Sequence, residues 1–180
     1  MNKNVYMVFN YILTNGGWLA CAIGAAQGMP WLGPAVVVLA LIVHLGLSER
    51  RKEELLFILV VGLIGTMIDT GKNILNIVVY VGGYENLPWL APLWITALWL
   101  MFATQLNGSL RFLQKRYLLA LVAGAFGGPL AYFAGERIGA VEVLPDDVPA
   151  TLILGVIWAV AVPGLLYLQA YLLPTNEEQN

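Results

Sequence analysis

Asp69, Lys72, Asn73 and Asn76 stand inside a run that is otherwise apolar over residues 55–81. At about 100° per residue, Asp69, Asn73, Asn76 and Tyr80 fall on one helix face, and Gly62 and Thr66 extend it. Lys72, three residues after Asp69, is within reach of that face. A carboxylate and an ammonium in an apolar helix cost about 2.5–3.5 kcal/mol each to insert in a bilayer. The two charges are therefore expected to face protein or water. The chemistry on offer is that of a polar site inside a helix bundle: an ion pair, amide and phenol groups for a head group, and a carboxylate that could exchange a proton.

A second stretch offers matching groups. Tyr132, Glu136 and Arg137 lie in another apolar run. With a rise of about 1.5 Å per residue, Asp69 lies about 21 Å from the positively flanked end of its helix, Lys72 about 25 Å, and Glu136 and Arg137 about 28–30 Å. These depths predict pairing of Asp69 with Arg137, or of Lys72 with Glu136. The plainer alternative is an ion-pair knot that only fixes helix packing. A further polar group comprises His44, Thr104, Gln105 and Asn107. His44 is the only histidine, and a lone histidine is more often a hydrogen-bonded packing residue than a ligand.

No HExxH, GxSxG, P-loop or CxxC pattern is present. With one His and one Cys, a His/Cys-rich metal site is disfavoured and a bis-histidine haem is excluded, so no cofactor is expected. Trp18-Leu19-Ala20-Cys21 is a poor lipidation box, and Cys21 reads as a buried thiol. Lys3 is too sparse a positive start for a signal peptide.

The elements that must position these groups follow from composition. The chain of 180 residues is 59% hydrophobic and 11% charged, against about 25% charged in soluble domains. The prediction is a single all-α transmembrane domain with six helices, at about 5–27, 31–47, 55–81, 92–110, 117–140 and 149–173. Lys3, Arg50, Arg51, Lys52, Arg111, Lys115 and Arg116 fall on one side. The opposite connections, 28–30, 82–91 and 141–148, hold no Lys or Arg but do hold Glu85, Glu142, Asp146 and Asp147. Both termini are thus expected in the cytoplasm. Trp31, Tyr80, Tyr84, Trp89 and Trp94 form the expected outer aromatic belt, and Phe112, Tyr117, Tyr167 and Tyr171 the inner one. With a net charge of −2 and scattered basic residues, nucleic acid is not an expected partner.

Three Pro-x-x-x-Pro frames begin at Pro30, Pro88 and Pro145, at nearly equal spacing. Either they reflect the ordinary preference of proline for turns and first helical positions, or they mark three repeated helical hairpins. Gly16, Ala20, Gly24 and Gly28 form one small-residue ridge, and Ala120, Gly124 and Gly128 begin another. Pro129 and Pro163-Gly164 predict kinks.

Helices four and five carry the most distinctive text. It runs Pro92-Leu93-Trp94-Ile95, Leu98-Trp99, Phe102-Ala103-Thr104 and Leu106-Asn107-Gly108-Ser109-Leu110. It continues with the stretch from Gly127-Gly128-Pro129 through Tyr132 to Gly135, and Gly139-Ala140. With Asp69 and the Trp18 and Pro30-Trp31 region, this resembles a domain-of-unknown-function family of small bacterial inner-membrane proteins. Phe112 stands where that family has Trp. The resemblance implies gene clusters with cyclopropane-fatty-acid-synthase-like and photolyase-like proteins, and so a link to membrane lipid modification or stress.

Three readings follow. The first is an accessory or lipid-binding membrane component, with membrane lipids, other membrane proteins or a second copy as partners. The second is a small transporter or flippase with a polar site in the outer half of the bundle. The third is an intramembrane lipid-modifying enzyme, disfavoured by the thin catalytic inventory.

Overall fold

The computed structural model describes residues 3–144 and 148–173, with the side chains of Lys3, Asn4 and Val148 excluded. Pro145, Asp146 and Asp147, and with them the third proline frame, lie outside the described residues, as do both chain termini. The fold is all-α, with six helices. They are α1 (Lys3–Ala26), α2 (Leu32–Leu47), α3 (Arg51–Ile74), α4 (Leu93–Asn107), α5 (Tyr117–Ile138) and α6 (Val148–Leu172). Three of them, α3, α5 and α6, are long and apolar enough to cross a membrane. The other three fall short on length or hydropathy: α2 and α4 are short, and α1 carries Asn10, Thr14 and Asn15.

The helices pack most extensively as consecutive pairs, α1 on α2, α3 on α4 and α5 on α6. The α4 helix also lies against α1 and α2, and buries Trp94, Ile95, Ala97, Trp99, Met101, Ala103, Thr104 and Leu106. The buried residues of α3, from Phe57 through Val61 and Gly65 to Asp69 and Lys72, recur every three or four positions, as one inward face requires.

The third helix is shorter at its far end than the apolar run suggests. It stops at Ile74. Asn76 takes a left-handed conformation (φ 51°), the Ile77 N–H reaches back to the Lys72 carbonyl and the Asn76 N–H to that of Asn73. This is a Schellman stop with asparagine in the place glycine usually takes. α5 ends the same way at Gly139 (φ 84°), where Ala140 bonds to Gly135 and Gly139 to Glu136. Each stop feeds a short strand, β1 (Val78–Tyr80) and β2 (Val141–Val143), and the two pair antiparallel. The β-branched run Ile77-Val78-Val79 suits such a ribbon better than a helix end. The register matches Val78 with Val143, Val79 with Glu142 and Tyr80 with Val141.

Two glycines let the helices close on large side chains. A Cβ on Gly65 would lie 1.9 Å from the Trp99 ring, and one on Gly128 would lie 2.2 Å from the Trp158 ring. The expected ridge of α1 makes a close approach at Gly24, where a Cβ would lie 2.9 Å from the Met29 carbonyl and 3.2 Å from Leu32 of α2. Gly16 faces open space, whereas Gly33 of α2 sits directly on Cys21. Pro129 and Pro163 both lie within continuous helix. The carbonyl of Ala125 that Pro129 leaves without its helical donor faces Gly155 of α6.

Candidate functional site

The polar face of α3 is assembled by three elements that sequence separates widely. Asp69 and Lys72 pair with each other inside α3, three residues apart. Both are 2% exposed, so neither charge is balanced by solvent. Tyr80 on β1 and Tyr132 on α5 each donate a hydroxyl hydrogen bond of 2.5 Å to Asp69 Oδ1. Trp99 of α4 donates its indole Nε1–H to Asp69 Oδ2. Lys72 Nζ also donates to the Tyr132 oxygen. It stands 4.4 Å from the Tyr132 ring centre and 5.9 Å from that of Trp158, within cation–π range. Tyr80 lies in the ribbon beyond α3. Burial, and then the charge of Asp69 beside it, hold its phenol well above the ordinary pKa, so it remains a donor.

Of the residues expected here, Asp69, Lys72 and Tyr132 come together. The predicted interhelical ion pairs do not form. Arg137 is exposed and lies over the Phe133 ring at 4.6 Å. Glu136 Oε1 accepts the Val143 N–H at 2.9 Å and so caps the ribbon. The reason is geometric: the helix ends at Ile138, less than two turns beyond Tyr132, and both charged side chains sit at that end, off the inward face. Asn73 donates to the Pro88 carbonyl at 2.8 Å and pins the loop before α4. Asn76 forms the exposed helix stop instead of a helix face. Tyr80 and Trp94, assigned to an outer belt, are buried: Tyr80 turns back to Asp69, and Trp94 donates to the Val81 carbonyl at 2.9 Å. Trp31, Tyr84 and Trp89 are exposed, as are Phe112, Tyr117, Tyr167 and Tyr171.

The second polar group is larger than His44, Thr104, Gln105 and Asn107 alone. His44 bonds Tyr6 of α1 (3.1 Å) and Glu54 of α3 (3.1 Å). Asn107 of α4 donates to the other oxygen of Glu54 at 2.7 Å, and Gln169 of α6 donates to Asn107 at 2.7 Å. One chain of contacts thus links five helices. Thr104 and Gln105 belong to a neighbouring set, receiving Asn10 at 3.3 Å and donating to Thr14 at 2.8 Å respectively. Glu54, Tyr6, Asn10, Thr14 and Gln169 were not singled out from sequence. Gln169, a lone amide in an apolar helix, and Asn10 with Thr14 one turn apart, carried a usable signal. Glu54 did not, because it follows Arg-Arg-Lys-Glu and reads as a solvated flank.

Between these two networks lies a cavity of about 480 Å³. Trp18 and Ala22 of α1, Leu98 and Phe102 of α4, and Trp158 of α6 line it, with Asp69 and Tyr132 on its wall and Thr14, Asn15 and Gln105 as further polar groups. The α5 wall is made of small residues, Ala123, Gly127 and Ala131, which also reach the surface. Trp99 and Trp158 stack at 4.9 Å and 5°, and Phe102 packs edge-on against both. Asp69 accepts from four groups, so both its oxygens are already engaged within the protein and are poorly placed to serve a substrate. Among the described residues no group of three or more His, Cys, Asp or Glu is placed to hold a metal ion.

A family model described as "Protein of unknown function (DUF2878)" matches residues 7–164. No curated protein and no solved structure matches the chain.

Proposed function

This chain belongs to that family of proteins of unknown function, and on that premise we propose that it is a membrane protein holding an acyl chain in the groove between α1, α4, α5 and α6. One observation carries the reading. The cavity is of ligand size, walled by aliphatic and aromatic side chains, with few polar groups, and it reaches the surface along a strip of small residues. Sites for small amphiphiles have this composition, with volumes of about 300–1,000 Å³. Three helices able to cross a membrane support placing the groove's mouth against lipid tails. The four donors around Asp69 favour a binding role over an enzymatic one for that carboxylate.

In the finer form of this reading, the chain is a single six-span domain of the bacterial inner membrane with both ends in the cytoplasm. It serves as an accessory component in membrane lipid modification or stress. Membrane lipids are its ligands, and other membrane proteins or a second copy are its partners.

Gly127→Phe tests the reading. A Cβ at Gly127 meets nothing within 4 Å, so a side chain there starts from open space on the groove wall. Native mass spectrometry of protein purified in mild detergent should show bound lipid in the wild type and its loss in the variant, with thermal stability unchanged. Equal lipid retention in both would overturn the reading.

A further inference from the structure

The cavity wall carries two polar stations. The first, around Asp69 and Tyr132, spends its groups on other groups of the protein. The second lies on α1 and α4, where Thr14, Asn15 and Gln105 line the cavity. Trp99 belongs to the first and Gln105 to the second, so the two are about 9 Å apart along α4. The hydrogen bonds of the second station run in a fixed sense. Thr14 gives its hydroxyl proton to the Asn10 carbonyl at 2.8 Å, so it accepts from Gln105 Nε2, also 2.8 Å away. Gln105 must therefore turn its nitrogen to Thr14 and keep Oε1 as an open acceptor. Asn15 gives its Nδ2–H to the Tyr11 carbonyl at 2.7 Å and keeps Oδ1 in the same way. Among the described residues neither amide oxygen receives a hydrogen bond, and neither residue is sealed off: Asn15 is exposed and Gln105 half-buried. Asn15 also lies halfway along α1, about 18 Å from its first residue. Among lipid tails that depth offers no water to satisfy a bare amide oxygen.

Resting on the reading of the groove as an acyl-chain site, we propose that Gln105 Oε1, with Asn15 Oδ1 at the groove's mouth, receives a hydroxyl carried part-way along the bound chain. The ligand class is a lipid with a mid-chain hydroxylated acyl group. Both open groups are acceptors, so the group that matches them is a donor. A carbonyl in the chain would set oxygen against oxygen. An ammonium would need a counter-charge, and Thr14, Asn15 and Gln105 carry none. Depth puts the hydroxyl in the chain instead of the head group, because a head at the membrane surface is about 18 Å from this station. The hydrocarbon on either side of the hydroxyl lies along Ala123 and Gly127 of the α5 wall.

The test uses three stearoyl lysophosphatidylglycerols: one with a plain chain, one with a hydroxyl at the twelfth carbon, and one with an oxo group there. Binding is measured on the full-length protein in detergent by native mass spectrometry. One hydrogen bond of ordinary net strength predicts about threefold to tenfold tighter binding of the hydroxylated chain than of either other by wild type. In Gln105→Leu the preference should vanish while the plain chain binds as before. A second measurement needs no variant and uses protein labelled with nitrogen-15 in its glutamine side chains. One amide resonance should move on adding the hydroxylated probe and stay in place with the oxo probe. Octadecanol and its methyl ether test a free alcohol as the other source of the hydroxyl. A preference for octadecanol that Gln105→Leu removes, with none among the three lipids, would overturn the mid-chain assignment. Equal binding of the hydroxylated and plain chains with no such preference, an oxo chain that binds as tightly as the hydroxylated one, an unmoved amide resonance, or a preference that persists in Gln105→Leu would overturn the hydroxyl site while leaving the groove reading standing. Failure of every probe to bind would remove the groove reading itself, and the hydroxyl site with it.

Discussion

Asp69 and Tyr132 meet at 2.5 Å across two helices that end alike. Asp69 precedes Val79 by as many residues as Tyr132 precedes Glu142, and Val79 and Glu142 are cross-strand partners. The left-handed residues Asn76 and Gly139 stand at equal distances from that same pair. The ribbon therefore relates α3 and α5 by a local two-fold, and it brings equivalent positions of the two helices to one level. One position carries a carboxylate and the other a phenol, so the crossing is held by a charge-assisted hydrogen bond.

Asp69 and Lys72 form a buried ion pair within α3. Removing one partner of a buried pair strands the other charge, at a cost of about 3–5 kcal/mol. Asp69→Asn and Lys72→Met should each destabilise the protein by about that much in detergent, measured by chemical denaturation. The double variant should lose less than the sum, since no stranded charge remains. Arg137→Gln should lie within about 0.5 kcal/mol of wild type, because its side chain is exposed. Strict additivity at positions 69 and 72 would show that the two charges do not act as a pair.

His44 and Glu54 tie α2 to α3, and through Asn107 and Gln169 to α4 and α6. His44→Ala and Glu54→Ala should therefore be coupled, with an interaction energy of about 0.5–3 kcal/mol in a double-mutant cycle. Each holds a second partner as well, His44 with Tyr6 and Glu54 with Asn107, so each single loss should also free a group on another helix. A cycle that closes to zero would dissolve the five-helix link into independent contacts.

The proposed topology is open to a labelling experiment on intact cells. Single cysteines replacing Ser48 or Arg116, in a Cys21→Ala background, should resist a membrane-impermeant maleimide, and one replacing Glu85 should react. Cys21 itself is buried and is removed only to silence its thiol. Labelling of Ser48 from outside, or protection of Glu85 together with reaction of Arg116, would invert or break the six-span arrangement.

Much of this molecule was legible in the chain. Scarce charge and long apolar runs dictate helices that bury themselves in one another or in lipid. The same argument marked Asp69 and Lys72, because an apolar helix does not carry charge on its lipid side without a partner. Tyr132 was found by depth alone, since rise per residue is nearly constant.

What depth could not supply was direction. Arg137 and Glu136 lie near the right level but off the inward face, and only packing of α5 on α6 sets that face. The end of α3 was equally hidden, because Ile77-Val78-Val79 is as apolar as the helix before it. An antiparallel partner some sixty residues away on the chain decides that it becomes a strand. That pairing turns Tyr80 back onto Asp69, and the bundle adds Trp99 and Trp158 from two other helices. Composition and periodicity are local properties and fix the kind of element and the need for burial. Which side chains meet is a property of how the elements cross, and the tertiary structure alone decided it.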